Sequence, residues 1–464
     1  MSYLVGFLAF IFILGAAVVI HEFGHFIVAK LLKIRVETFS VGFGPRLFGR
    51  RWGTTDYRVS AIPLGGYVKL GGDESNAAIE GAGASDVPPE EQFNLRPRWQ
   101  KISVAVAGPV MNILTALAIP FFGAMYAGVP VMPAPTVNLV RQGGAADAAG
   151  IKPGDRIISF NGKENPTWER IENDALLSPE QPLPLVIERD GQRVTTAIRP
   201  TKQMHDGNAL GQLDMEPDYG ALPVVIGMVE EGGPAKEAGL KAGDRIVAIN
   251  GVPARNKEQV TQFIQDNKAE PIRLTIERGG ERQEITARVR QMPDGRERLG
   301  FGYSREPLER VGPITAASYA VSKNIEILRL TGKALGQTFT GQRSIRDTLA
   351  GPIGIATESS KAANNYGWEG VFFMLAFMSL NLGVFNLLPI PVLDGGAIFL
   401  LLVEAMLGWV GLKLSMTMRE RIQQIGFVVL LLLMGFVITN DLLKVASRWR
   451  VADDNRPAVT APQK

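Results

Sequence analysis

His21-Glu22-Phe23-Gly24-His25 is the stretch of this chain best equipped for chemistry. Only one other histidine, His205, occurs anywhere. On a helix, residues i and i+4 share a face, with Cβ atoms about 5–6 Å apart. Two imidazoles so placed can ligate one zinc ion at about 2.0–2.1 Å. Glu22 projects beside them and can take a proton from an attacking water. A packing role for the two rings is the plain alternative. It weakens inside an apolar segment, where ionisable groups are costly and usually functional. A catalytic zinc takes three protein ligands and keeps one position open. The chain has no cysteine, which removes a thiolate ligand along with disulfides, iron–sulfur clusters and a thiol nucleophile. A carboxylate is left. Glu369, Asp394, Glu404 and Asp441 lie near the ends of apolar segments. Asp394 alone sits where the third segment ends in a run of helix breakers, Leu388-Pro389-Ile390-Pro391-Val392-Leu393, where irregular backbone can line a cavity. It is also a good N-cap for the helix that follows, and the two roles are compatible through different oxygens.

The elements that must hold these groups are apolar. Residues 1–20, 102–140, 371–393 and 422–440 carry no charge, and about 20 residues suffice to cross a bilayer. The first stretch has neither a basic start nor a small-residue cleavage site, and it runs straight into the histidines, so it reads as a retained span rather than a signal peptide. Charge sets the orientation. Lys30, Lys33 and Arg35 follow the first segment, Arg96, Arg98 and Lys101 precede the second, and Lys413, Arg419 and Arg421 separate the third from the fourth. Both of those loops read as cytoplasmic, which puts the two termini and the long 130–370 region outside. Lys444, Arg448 and Arg450 argue mildly the other way. By the same orientation His205 lies across the membrane from the motif and is no ligand. The 464 residues suggest about three domains, and a net charge of +3 argues against a dedicated nucleic-acid binder.

The outer region contains a repeat. Residues 149–162, AGIKPGDRIISFNG, match 238–251, AGLKAGDRIVAING, at 9 of 14 positions, at an offset of 89. Alternating apolar runs punctuated by Asn-Gly and Gly-Gly predict small β-rich domains. The repeated pattern resembles the PDZ domain, and two tandem PDZ-like units fill roughly 130–305. Such domains add a peptide strand to a sheet edge and offer loop N–H groups to a C-terminal carboxylate. Leu210-Gly211 and Leu299-Gly300 are the expected loops, making Gly211 and Gly300 candidate contacts for peptide C-termini.

Taken together, HExxH in the first span, Asn-x-x-Pro-x-Pro-x-x-Asp-Gly at 386–395 and PDZ-like units between the second and third spans resemble the site-2 protease family of intramembrane zinc metalloproteases. The likeness extends to Gly42-Phe43-Gly44-Pro45, Gly65-Gly66-Tyr67-Val68-Lys69-Leu70 and Gly108-Pro109-Val110-Met111-Asn112. It implies one zinc held by His21, His25 and Asp394, Glu22 as catalytic acid/base, and substrate held by Asn381, Asn386, Pro389 and Pro391. It further implies a bacterial inner-membrane enzyme cutting membrane-spanning substrates: an anti-sigma factor already cut once outside, and remnant signal peptides. The expected fold is a polytopic α-helical membrane protein with four transmembrane helices, a membrane-associated β-hairpin and two tandem PDZ-like α+β domains. The order is a first span (1–35), a cytoplasmic or re-entrant hairpin region (36–100) and a second span (101–129). The two PDZ-like domains (130–217, 218–305) and an outer amphipathic helical region (306–368) come next. A third span (369–410), a fourth with its flank (411–443) and a flexible tail (444–464) complete it. Within the hairpin region, Val36–Phe43 and Asp56–Leu70 are strand-like and 44–53 reads as their turn.

Two other classes are open. A membrane-tethered PDZ scaffold with a structural metal would have no use for Glu22. A transporter should show inverted hydropathy halves, which this chain lacks. Zinc content measured together with cleavage of a membrane peptide separates all three.

Overall fold

The structure, a computed structural model, describes residues 2–73, 87–205, 208–219, 223–266, 270–291, 297–304, 308–342, 344–409, 412 and 415–454. The chain divides into two compact units, Met1–Ala127 with Arg310–Lys464, and Gly128–Glu309.

In the first unit, helix α1 (Ser2–Leu31) leads into strands β1 (Val36–Trp52) and β2 (Thr55–Leu70) and then helix α2 (Arg98–Ala127). After the inserted second unit come α3 (Pro313–Phe339), α4 (Pro352–Asn386), α5 (Asp394–Trp409) and α6 (Met416–Asp454). Among the described residues, four stretches are long and apolar enough to cross a membrane: Leu4–Leu31, Arg98–Ala127, Pro352–Asn386 and Arg421–Lys444. The uncharged run 102–140 is therefore divided: Gly128 takes φ +99, and Ala134–Val140 becomes a strand of the other unit. α4 begins earlier than charge predicts and bends at Gly367, whose φ of 59 and ψ of −139 are not helical. α6 continues to Asp454, where a tail was expected from 444; residues 455–464 lie outside the described residues. α1 packs on α2 and α4, with Ala9 and Ile13 meeting Ala363 and Val371.

Residues 44–52 are not a turn. They extend β1, because Arg46 pairs with Ser60 and Trp52 with Thr55, and the turn shrinks to Gly53-Thr54. Meanwhile Thr38–Val41 pairs with Gly66–Lys69 on one side and, advancing in step, with Asp56–Val59 on the other. The two bent strands thus fold into four segments side by side, ordered Arg46–Trp52, Thr55–Ser60, Val36–Val41, Gly66–Leu70. Apolar side chains at the base, Ile34, Val36, Val68 and Leu70, close on Ala29 and Val104.

In the second unit the 89-residue repeat becomes two matching folds. Strands Arg156–Phe160, Leu183–Arg189 and Gln192–Ile198 recur as Arg245–Ile249, Pro271–Arg278 and Glu281–Arg288. Helix Trp168–Leu176 recurs as Lys257–Asp266. Each fold has its own core, one around Ile157, Phe160, Trp168 and Ile187, the other around Ile246, Ile249, Val260 and Ile276. The expected match of Leu210-Gly211 to Leu299-Gly300 is corrected. Ala146 N–H donates to Leu213 O and Arg141 N–H to Asp214 O, just as Ala235 N–H donates to Leu299 O and Glu230 N–H to Gly300 O. Leu213-Asp214 is the true counterpart. Gly211 instead lies within strand Asn208–Gln212, paired with Lys202.

Candidate metal centre

α1 carries His21 and His25 on one face, and the start of α5 brings Asp394 to them. His21 Nε2 lies 3.0 Å from Asp394 Oδ2, His25 Nε2 lies 3.5 Å from Asp394 Oδ1, and the two Nε2 atoms are 3.2 Å apart. Four ligands arranged tetrahedrally at about 2.0–2.1 Å stand roughly 3.3 Å from one another. The donor set and its spacing fit one zinc. Among the described residues this is the one cluster of three or more His, Asp or Glu side chains able to hold a metal.

Two of the other acidic candidates are engaged elsewhere, and Glu369 is outside the cluster. Asp441 accepts from Gly351 N–H at 3.1 Å and Gly354 N–H at 2.9 Å, capping α4 from another helix. Glu404 lies 3.5 Å from Arg419. His205 is in a strand of the other unit, paired with Asn208.

The surrounding groups select the imidazole tautomers. His25 Nδ1–H donates to Val104 O at 2.7 Å, which leaves Nε2 with its lone pair towards Asp394. Asn112 sets its carboxamide 3.2 Å from His21 Nδ1 and is fully buried. For His21 to ligate through Nε2, Nδ1 must carry the proton, so the carboxamide presents its oxygen there. Among the described residues no other group satisfies that buried oxygen, and the two amide orientations share the same heavy-atom positions. Gly108, one helical turn before Asn112 on α2, rests against both imidazoles. A Cβ there would collide with His25 Nε2 and stand 2.8 Å from His21 Nε2. Neither Asn112 nor Gly108 had a role assigned from sequence. The signal is a buried-type amide three residues after Gly-Pro in an uncharged span.

Glu22 faces the sheet. Val68 hydrogen-bonds it through the backbone, and a Cβ on Gly66 would lie 3.7 Å from Glu22 Cγ. Of the residues expected to hold substrate, Asn386 comes closest, with Nδ2 3.3 Å from His21 Nε2. Asn381 donates to Phe377 O of its own helix at 2.8 Å. Pro389 is exposed in the turn before α5, and Pro391 packs against Gly426 of α6. Between them and Asp394, Val392 holds φ +83, a costly conformation for a β-branched residue.

With this geometry in view, the sequence model of Peptidase family M50 matches residues 9–433. The regulator of sigma-E protease RseP of Salmonella typhimurium is 31% identical over 468 residues, covering 94% of this chain and 98% of that protein. The protein of the same name in Escherichia coli strain K12 is 31% identical over 480 residues, covering 96% and 100%. The PDZ domain of an SdrC-like protein from Listeria innocua matches at 22% identity, covering 19% of this chain and 99% of that one, with a TM-score of 0.17.

Proposed function

The chain belongs to peptidase family M50, the site-2 proteases, and from that premise we propose that His21, His25 and Asp394 hold its zinc while Glu22 is its acid/base. The protein is an intramembrane zinc metalloprotease of regulated intramembrane proteolysis. The observation that carries the assignment is the convergence of three ligand atoms within 4.8 Å, contributed by residues 373 positions apart, beside a glutamate.

When bound, zinc lowers the pKa of water towards about 7 and polarises the scissile carbonyl. Glu22 takes the proton from the attacking water and later delivers it to the leaving amine. Asn112 and Val104 O fix the two imidazoles so that neither ring has to turn during the reaction. Asn386 either donates its amide to the developing oxyanion or holds the substrate strand.

The substrate is a membrane-spanning segment whose carbonyls are tied up in i→i−4 bonds. It must unwind, and in lipid its backbone needs new partners. Segment Gly66–Leu70 is the flank of the sheet beside Glu22 and is suited to pair with it by strand addition. The depth supports this reading. Pro63 O lies 3.1 Å from where a Cβ of Gly15 would be, and Lys30 donates to Thr55 Oγ1 at 2.7 Å. Gly15 and Lys30 are about 22 Å apart along α1 at 1.5 Å per residue, so the sheet re-enters the membrane from the cytoplasmic end. The orientation proposed is both termini and the second unit periplasmic, the centre towards the cytoplasm, in a bacterial inner membrane. Candidate substrates are an anti-sigma-factor-like protein after a first outer cut, and signal-peptide remnants.

The PDZ-like repeats act as a size filter on substrate, since bulk in the right place suffices. Deleting 130–305 and rejoining the flanks should permit cleavage of substrates with large folded outer domains. Slower cleavage of short substrates would instead favour capture of peptide C-termini, with Gly300 at the loop and Asp214 in the place first assigned to Gly211. The decisive test of the centre is zinc stoichiometry measured together with cleavage of a membrane peptide. The wild type should hold one zinc and cut, and a protein that cuts without zinc would overturn the assignment.

A further inference from the structure

Segment Arg46–Trp52 is the opposite flank of the sheet from Gly66–Leu70, turned away from Glu22. Its side chains are graded along its length. Leu47 and Phe48, 62% and 65% exposed, lie away from the base of the sheet, where Phe48 pairs with Val59; Arg46, one residue further out, turns its side chain back to Asp56. Arg50, Arg51 and Trp52 pair with Tyr57, Asp56 and Thr55, the rungs that meet α1 at Phe26 and Lys30. Trp52 is 80% exposed, and both arginines are exposed. Nearby cations are engaged: Arg35 with Glu91 at 2.8 Å and Arg46 with Asp56 at 3.3 Å. Among the described residues, no carboxylate forms an ion pair with Arg50 or Arg51; Asp56, across the strands from Arg51, is taken by Arg46.

Apolar side chains at depth, followed by two cations and a tryptophan where the first span ends, are what a bilayer interface selects. We propose that Arg50, Arg51 and Trp52 bind the headgroup of an anionic phospholipid in the cytoplasmic leaflet. This contact holds the sheet at the depth where its other flank meets Glu22. Guanidinium groups donate in pairs to phosphate oxygens, and the indole sits at headgroup level. An acidic protein in water is a poorer match, because Leu47 and Phe48 continue the same strand. The inference rests on the orientation proposed above.

Because the chain has no cysteine, Thr54→Cys places a single label in the turn next to Trp52. An environment-sensitive dye there, on the full-length protein in phosphatidylcholine nanodiscs, should shift to the blue when phosphatidylglycerol is included. Arg50→Gln with Arg51→Gln should abolish the shift, and the corresponding Lys pair should keep it, since a point charge serves. Phosphatidylglycerol retained through purification should fall roughly fivefold per cation removed and stay unchanged in Arg193→Gln, an exposed site in the other unit. The same dye signal with and without phosphatidylglycerol, or a shift that survives the double Gln variant, would overturn the proposal. If an impermeant thiol reagent reaches Thr54→Cys only from the periplasmic side of intact cells while the lipid shift persists, the orientation fails and the lipid contact stands.

Discussion

Aspartates anchor charged clusters in both units, buried at Asp155 and Asp244 and half-buried at Asp394, and their surroundings are opposite. In the repeats, Asp155 receives Arg189 Nε–H at 2.7 Å and Nη2–H at 2.6 Å, and Asp244 receives the same pair from Arg278 at 2.6 and 2.7 Å. Lys152 N–H and Lys241 N–H complete them, each at 2.8 Å. Every lone pair that matters is answered by a permanent cation or a backbone donor from the same fold. Asp394 has only two imidazoles beside it, at 3.0 and 3.5 Å. The first arrangement is closed and is structural, explaining why the repeated motif needs an aspartate after its glycine. The second is a carboxylate and two ring nitrogens gathered within 4.8 Å of one another, the set proposed to hold zinc.

The largest effect should come from Glu22, the carboxylate at the centre that lies outside the proposed ligand set. Glu22→Gln keeps the shape and removes the base, so cleavage should fall by at least 10²-fold while zinc stoichiometry stays near that of the wild type. Substantial proteolysis by this variant would sink the mechanism. Asp394→Asn breaks the metal cluster itself. It should lower zinc occupancy and activity together, whereas His205→Ala should change neither. Zinc loss from the His205 variant would refute both the ligand set and the topology behind it.

The closed pairs should respond in stability and not in metal. Asp155→Asn or Asp244→Asn leaves an arginine short of its partner and should cost about 2–3 kcal/mol, read as denaturant unfolding of the repeats, with zinc content untouched. Burial alone would push both carboxyls up. Hydrogen bonds from Arg189 and Lys152 N–H, or Arg278 and Lys241 N–H, outweigh it and hold them below their ordinary value. A depressed folded value means the stabilisation is present above the unfolded pKa of about 3.9 and is lost as pH falls through the folded one. Acid unfolding of the repeats should therefore begin below about pH 4, and the Asn variants should show a flatter profile there. An unchanged profile would show that other carboxylates govern it.

How much of this the sequence reveals depends on what each feature requires. Metal chemistry requires particular residue types, and helix geometry fixes i, i+4, so the candidate set His21, Glu22 and His25 can be read from the sequence, as can Asp394 after its prolines. The repeat was legible because Asp155 and Asp244 need the same glycine turns around them. The groups that set the tautomers were not. Val104 contributes only a carbonyl, Gly108 only the absence of a side chain, and Asn112 a neutral amide. The four-segment sheet was hidden because Arg46, Arg50 and Arg51 look like a solvated turn until Thr55–Ser60 pairs with them. The loop register was misread by three residues. Leu210-Gly211 repeats the letters of Leu299-Gly300, while the backbone there is built by Leu213-Asp214.

That last difference sets the two repeats against each other and gives the smallest expected effect. Asp214 and Gly300 both sit at positive φ, 56° and 76°. Asp214 Oδ2 accepts from Ala145 N–H at 3.2 Å and from Thr201 Oγ1–H at 2.6 Å, closing the start of helix Ala145–Ala148. In the second repeat the equivalent of Ala145 is Pro234, which has no N–H to satisfy. A Cβ on Gly300 would stand 3.3 Å from Gly233 Cα and 3.3 Å from Glu230 Oε2. One repeat therefore uses a cap and the other removes the need for it. Asp214→Gly should destabilise its repeat by about 1 kcal/mol, partly offset because glycine takes positive φ without strain. Gly300→Asp should destabilise by a similar amount or slightly more, through crowding and repulsion from Glu230. Adding Pro234→Ala restores a donor and should recover part of that loss, so the coupling in a double-mutant cycle should be favourable. Strict additivity of Gly300→Asp and Pro234→Ala would mean that the two repeats differ at these positions by drift and not by exchange of one capping solution for another.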